Sequence, residues 1–98
     1  GGVANFWNKD ADGSWITGGN WSEGAAPNGV SAFANFGGGG VLLSGPRTVT
    51  LGTVQTVGSI GFNSAQPYTL TGTGSLLLNN GIDPVTQITN TNGSHVIG

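Results

Sequence analysis

The segment Asn8-Lys9-Asp10-Ala11-Asp12-Gly13 sets three oxygen-bearing side chains at alternate positions ahead of a glycine. This is the first half of an N-x-D-x-D-G calcium loop, in which carboxylate and carbonyl oxygens close around a hard cation at a tight turn. Asn8, Asp10 and Asp12 are the candidate calcium ligands. The position that carries a bidentate Glu in an EF-hand is Gly19 here, and Glu23 is the substitute within reach. The competing reading is a polar turn that uses Asp and Gly for their turn geometry. No cofactor is expected, with calcium as the alternative.

Catalysis has little to draw on. His95 is the single histidine, and a Ser–His–Asp site would recruit Ser94 and Asp83. Nothing around Ser94 resembles a nucleophile elbow or an oxyanion loop. Asp10 and Asp12 sit on one turn and do not flank a cleft as glycosidase carboxylates do. The chain therefore reads as non-enzymatic. With no cysteine, thiolate zinc, iron–sulfur clusters, thiol catalysis and disulfides are excluded. Trp7, Trp15 and Trp21 are a candidate stacking platform for a carbohydrate; their competing role is a hydrophobic cap. Asn20-Trp21-Ser22 and Asn92-Gly93-Ser94 fit the N-glycosylation pattern, which is usually chance in a bacterial protein and would matter in a non-bacterial host.

The elements that hold these residues must be built almost without charge. Only Lys9, Asp10, Asp12, Glu23, Arg47 and Asp83 belong to the charged types Asp, Glu, Lys and Arg, 6% of the chain, against about 25% in an average globular protein. Two basic residues cannot neutralise a phosphate track, which argues against nucleic acid. No run is long and apolar enough for a membrane span. Twenty glycines, with Ser, Thr and Asn, supply the polar positions. A surface of hydroxyls and amides lacks repulsion and tolerates packing against its own copies. At 98 residues the chain is one small domain or a slice of a longer array. It opens on Gly1-Gly2 without an initiator Met, as a processed or excised segment does.

Helical spacing is absent, and short strands between glycine turns are predicted. They are Ala32–Phe36, Val41–Ser44, Thr48–Leu51, Val57–Asn63, Tyr68–Thr71, Ser75–Asn79, Thr86–Thr89 and His95–Ile97. A degenerate period of 19–20 aligns Val41 with Ile60, Leu43 with Phe62, Val49 with Tyr68, Leu51 with Leu70, and Ser75-Leu76-Leu77 with His95-Val96-Ile97. One coil per repeat would stack these as inward aliphatic columns. Thr48, Thr50, Thr69, Thr71, Thr86, Thr89 and Thr91 would face outward, where stacked hydroxyls hydrogen-bond along the axis. The fold expected is all-β, a short right-handed parallel β-helix or β-solenoid with an aromatic N-terminal cap. The alternative is an antiparallel β-sandwich, for which Asn28-Gly29, Asn80-Gly81 and Asn92-Gly93 are hairpin signals. Residues 1–31 form the tryptophan-containing lead-in and 32–98 the coils of one structural domain.

The order of short motifs resembles a known family. Gly13-Ser14-Trp15, Gly19-Asn20-Trp21-Ser22 and Ala26-Pro27 are followed by Ala32-Phe33-Ala34-Asn35-Phe36, Val41-Leu42-Leu43 and Arg47-Thr48-Val49. Val57-Gly58-Ser59-Ile60-Gly61-Phe62, Tyr68-Thr69-Leu70-Thr71-Gly72 and Ser75-Leu76-Leu77-Leu78 complete the series. Together they are similar to the autotransporter-associated β-strand repeat. That resemblance implies a parallel β-helical segment of a secreted or surface-displayed bacterial protein, without catalytic residues and set among like repeats.

The expected role is thus an extracellular structural module whose partners are adjacent repeats or copies of itself. The chain stops just after a strand, presenting an open edge. A sharper version has copies stacking head to tail into a filament, with Gly1–Phe6 as a donated strand. Val3, Phe6, Val96 and Ile97 are its assembly residues. A carbohydrate-binding module using the three tryptophans is the second reading.

Overall fold

The computed structural model describes residues 4–81 and 87–98. Val3, Asp83 and Thr86, named above, lie outside the described residues. The described chain is all-β with one short 3-10 turn at Gly18–Asn20. Its strands are β1 (Ala4–Phe6), β2 (Gly13–Ser14), β3 (Phe33–Phe36), β4 (Arg47–Thr50) and β5 (Gln55–Val57), then β6 (Ser59–Asn63), β7 (Tyr68–Thr71), β8 (Leu76–Leu78), β9 (Gln87–Asn92) and β10 (Val96–Ile97). β6 and β7 alternate buried apolar side chains with hydroxyl, amide or glycine positions, and β4 buries Val49 between two threonines, the period-two pattern of a half-buried strand.

Three sheets form, ordered β1-β3-β6-β9, β10-β7-β4-β2 and β5-β8. Every ladder in them is parallel. From β3 onward the chain visits the first sheet, then the second, then the third, and begins again; β1 and β2 precede this with a pass through the first two sheets only. Parallel neighbours need a long connection, and here a full circuit of the sheets supplies it. This overturns the antiparallel sandwich. The Asn-Gly pairs are not hairpin turns: Gly81 and Gly93 take φ values of 66° and 85° at bends between strands of different sheets.

The register corrects the expected columns. Val49 lies beside Leu70, not Tyr68, and Tyr68 lies beside Arg47. Ile60 lies between Ala34 and Ile88, and Phe62 between Phe36 and Asn90. Leu76 and Leu77 pair with Gln55 and Thr56, while Val96 and Ile97 pair with Thr69 and Leu70. Val41–Ser44 is not a strand; it belongs to a loop on which Leu42 stands in solvent. The reason is physical. Parallel register is set where strands meet, and corner loops of unequal length absorb the difference. A single period read from composition averages over those corners.

The core is one cluster running from Trp7, Trp15 and Trp21 through Phe36, Val49, Leu51, Val57 and Ile60 to Phe62, Tyr68 and Leu70. Phe36 is the hinge of this series, in ring contact with all three tryptophans and with Phe62 and Tyr68. On the outside, Thr48 pairs with Thr69 and Thr50 with Thr71, as the outward threonine columns require.

Candidate assembly surfaces at the two ends of the stack

At the N-terminal end the outer strand edges are already used. Trp7 and Trp21 form an antiparallel bridge across β1. The Ser22 N–H donates to the Phe6 carbonyl at 2.8 Å, and the Phe6 N–H donates to Ser22 Oγ at 2.9 Å. The Asn8 N–H donates to the Asn20 carbonyl at 2.7 Å. Two buried amides complete the closure. Asn5 Nδ2 donates to Ala25 O at 2.7 Å while its Oδ1 accepts the Glu23 N–H at 3.1 Å. Asn20 Nδ2 donates to Ser14 O at 2.9 Å, on β2. Gly18, Gly19 and Gly24 let the chain fold back on itself here, and Asn20 and Ser22 satisfy groups that an edge strand leaves free.

Beneath this lid the tryptophans are packed rather than displayed. Trp7, Trp15 and Trp21 are 2%, 0% and 2% exposed. Trp15 Nε1 donates to Pro27 O at 3.0 Å and Trp21 Nε1 to Trp15 O at 2.7 Å. Trp21 meets Trp7 and Trp15 edge to face, with centroids 5.4 and 5.0 Å apart. Such rings offer no face to a sugar, so the stacking platform read from the sequence is not available.

Two of the candidate calcium ligands, Asp10 and Asp12, are engaged by β4 and the turn before it. Among the described residues no three of His, Cys, Asp and Glu come together. Asp10 Oδ1 accepts from the Ser44 N–H and from Arg47 Nε, both at 3.0 Å, and Arg47 closes an ion pair with it at 2.9 Å. These contacts hold the Asp10 carboxyl below its usual pKa, the Ser44 backbone N–H being the largest cause. Asp12 Oδ1 accepts the Thr48 N–H at 2.7 Å. Both carboxylates pin the first turn to the start of β4.

At the other end the described residues finish on three edge strands. β8, β9 and β10 are each the last strand of their sheets among the described residues. The inward columns continue into them: Val57 to Leu78, Ile60 to Ile88, Leu70 to Ile97. The upper member of each pair is 0%, 1% and 0% exposed, and the lower member 38%, 49% and 43%. What is exposed is a cross-section of the core. His95 covers one corner of it. Its ring stacks on Phe62 at 4.6 Å and 9°. Its Nδ1 accepts the Tyr68 N–H at 2.9 Å, which leaves Nε2 to donate to Asn92 O at 2.8 Å. Both ring nitrogens thus serve the backbone, and neither is directed to Ser94.

Of the assembly residues named from sequence, Val96 and Ile97 lie on one of these edge strands. Phe6 does not: β1 pairs with β3 of its own chain, and the Phe6 ring lies against Gly39. Leu78 and Ile88 were missed. Their signal was phase, since each continues an alternation whose earlier members are buried. No protein-family model, curated protein or solved structure matches the chain.

Proposed function

We propose that the chain is a short right-handed parallel β-solenoid that serves as a non-catalytic structural module of an extracellular or cell-surface bacterial protein. The observation that carries this reading is the cyclic order in which β3 to β10 visit the three sheets, with every ladder parallel. The resemblance to the autotransporter-associated repeat points the same way. Such a module supplies length and stiffness. Backbone hydrogen bonds run along the axis, apolar columns fill the interior, and a nearly uncharged surface faces outward. Its partners are further coils of its own kind.

The test is extension. In a repeat architecture each unit contacts only its neighbours, so added units raise stability. A variant carrying a second copy of residues 59–98 at its C-terminus should melt higher than the parent. Its scattering profile should lengthen along one axis by roughly 4.8 Å per added coil. An appended segment that stays unfolded, with an unchanged melting temperature, would count against the solenoid.

A further inference from the structure

We propose that Asn92 is an N-glycosylation site, and that the neutral sugar it accepts is seated in the cleft beside it. The proposal uses local geometry and stands apart from the solenoid reading. Two observations carry it.

The first is that the fold separates the two Asn-x-Ser matches. An acceptor amide has to be presented at the surface together with the hydroxyl two positions on. Asn20 is 6% exposed, and its Nδ2 donates to Ser14 O at 2.9 Å. That amide closes the N-terminal lid and is not on offer. Asn92, Gly93 and Ser94 are all exposed. No described residue bonds the Asn92 amide or the Ser94 hydroxyl. The backbone around them is held in place. Asn92 O accepts from the Ser64 N–H at 3.3 Å and from His95 Nε2 at 2.8 Å, and Asn90 Nδ2 donates to Gly93 O at 2.7 Å. Gly93, at a φ of 85°, makes a bend that a side chain would strain. The acceptor pair thus sits on an ordered turn with both reactive groups unengaged.

The second is the cleft. Asn92 lies beside Asn63 in register. With Leu42, Leu43, Ser64 and Gln66 the pair lines a cleft of about 400 Å³ between the loop 38–43 and the corner after β6. No residue of that lining is charged. The Asn63 and Gln66 amides suit hydroxyl groups, and Leu42, 88% exposed, offers an apolar wall to the face of a sugar ring. A neutral hexose matches this chemistry. Transfer draws on a nucleotide-activated hexose and an enzyme that reads Asn-x-Ser. The Asn92 Nδ2 attacks the anomeric carbon, the new C–N bond forms, the C–O bond to the nucleoside diphosphate breaks, and one amide proton passes to the enzyme's base.

The experiment treats the folded chain with UDP-glucose and a soluble N-glycosyltransferase first shown to modify synthetic peptides of residues 17–25 and 89–97. Peptide mapping by mass spectrometry should find one hexose on Asn92 and none on Asn20. Asn92→Gln and Ser94→Ala should each lose it. In the modified chain the hexose protons should give NOEs to the Leu42 methyls, and Leu42→Asp should remove them without lowering occupancy. An unmodified Asn92 in the folded chain overturns the proposal, because the peptide control shows the transferase competent. Modification of Asn20 in the folded chain overturns it too. A hexose on Asn92 without NOEs to Leu42 overturns its seating in the cleft.

Discussion

The Asp12 carboxylate accepts the backbone N–H of Thr48 at 2.7 Å, across 36 positions of sequence. A motif that looks like half a cation loop acts here as a clasp between the first turn and β4. Asp12→Ala removes the acceptor but leaves Thr48 N–H within reach of water. The expected loss is about 1 kcal/mol, or roughly 4–8 °C in Tm for a domain of this size. Thermal melts of the two proteins check it, with and without added calcium. A calcium-dependent rise in Tm that vanishes in Asp12→Ala would restore the cation reading.

Asp10 supplies a pH signature. Its carboxyl is held below the ordinary 3.8 by the Ser44 N–H first, with Ser44 Oγ and Arg47 adding to it. A lowered folded-state value means the unfolded chain takes up the proton first. The stabilisation is therefore fully present above about pH 4 and lost as pH falls through the folded-state value. Urea midpoints should be level from pH 7 to about 5 and drop in stronger acid. In Asp10→Asn that drop should be shallower.

Tyr68 supplies the alkaline counterpart. Burial, reinforced by the Asp10 charge, pushes its phenol from 10.0 up to about 12. The folded chain keeps a proton that the unfolded chain releases, so stability holds below pH 10 and falls between 10 and 12. Tyr68 is the single tyrosine, so tyrosinate absorbance reads it alone. Ionisation should begin well above pH 10 and coincide with unfolding. Tyr68→Phe should flatten the stability profile in this window.

Gly72 takes a φ of 133°, and a Cβ there would run into the backbone of Leu51, just after β4. Gly52→Ala, at a site with open space, is the control. Gly72→Ala should cost about 1–3 kcal/mol through strain and displaced register. Gly52→Ala should be neutral or stabilise by up to about 1 kcal/mol through the unfolded chain. Equal denaturation midpoints for the two variants would contradict the close approach of Gly72 to the Leu51 backbone.

Trp15 is fully buried and holds both ends of the lid, donating to Pro27 and accepting from Trp21. Trp15→Ala should cost about 3–5 kcal/mol, a large share of the roughly 5–15 kcal/mol available to a small domain. In the parent chain, tryptophan emission should not shift on adding soluble glucans or chitin fragments. A saturable shift would revive the carbohydrate reading.

Much of the fold was legible because strand formation is local. Tyr68–Thr71 alternates cleanly enough to be bounded correctly, and β3, β4 and β8 were found to within a residue at either end. β1 and β2 were not. Ala4–Phe6 and Gly13–Ser14 have little strand character of their own, and they become strands by pairing with β3 and β4. Gly58 splits what reads as one strand into β5 and β6, which belong to different sheets.

From the sequence alone came the parts that depend on composition and alternation: an all-β chain, almost no charge, no thiol chemistry, and an aromatic N-terminal segment distinct in kind. Only the tertiary structure decided which residues are neighbours. Corner loops of unequal length set each ladder's register, so Val49 found Leu70 rather than Tyr68. The same closure turned three apparent binding tryptophans into core and two apparent cation ligands into backbone clasps. It also made the ends unequal. Whether an edge is free depends on what folds back over it, and Ser22 reaches Phe6 only once the whole first turn has closed.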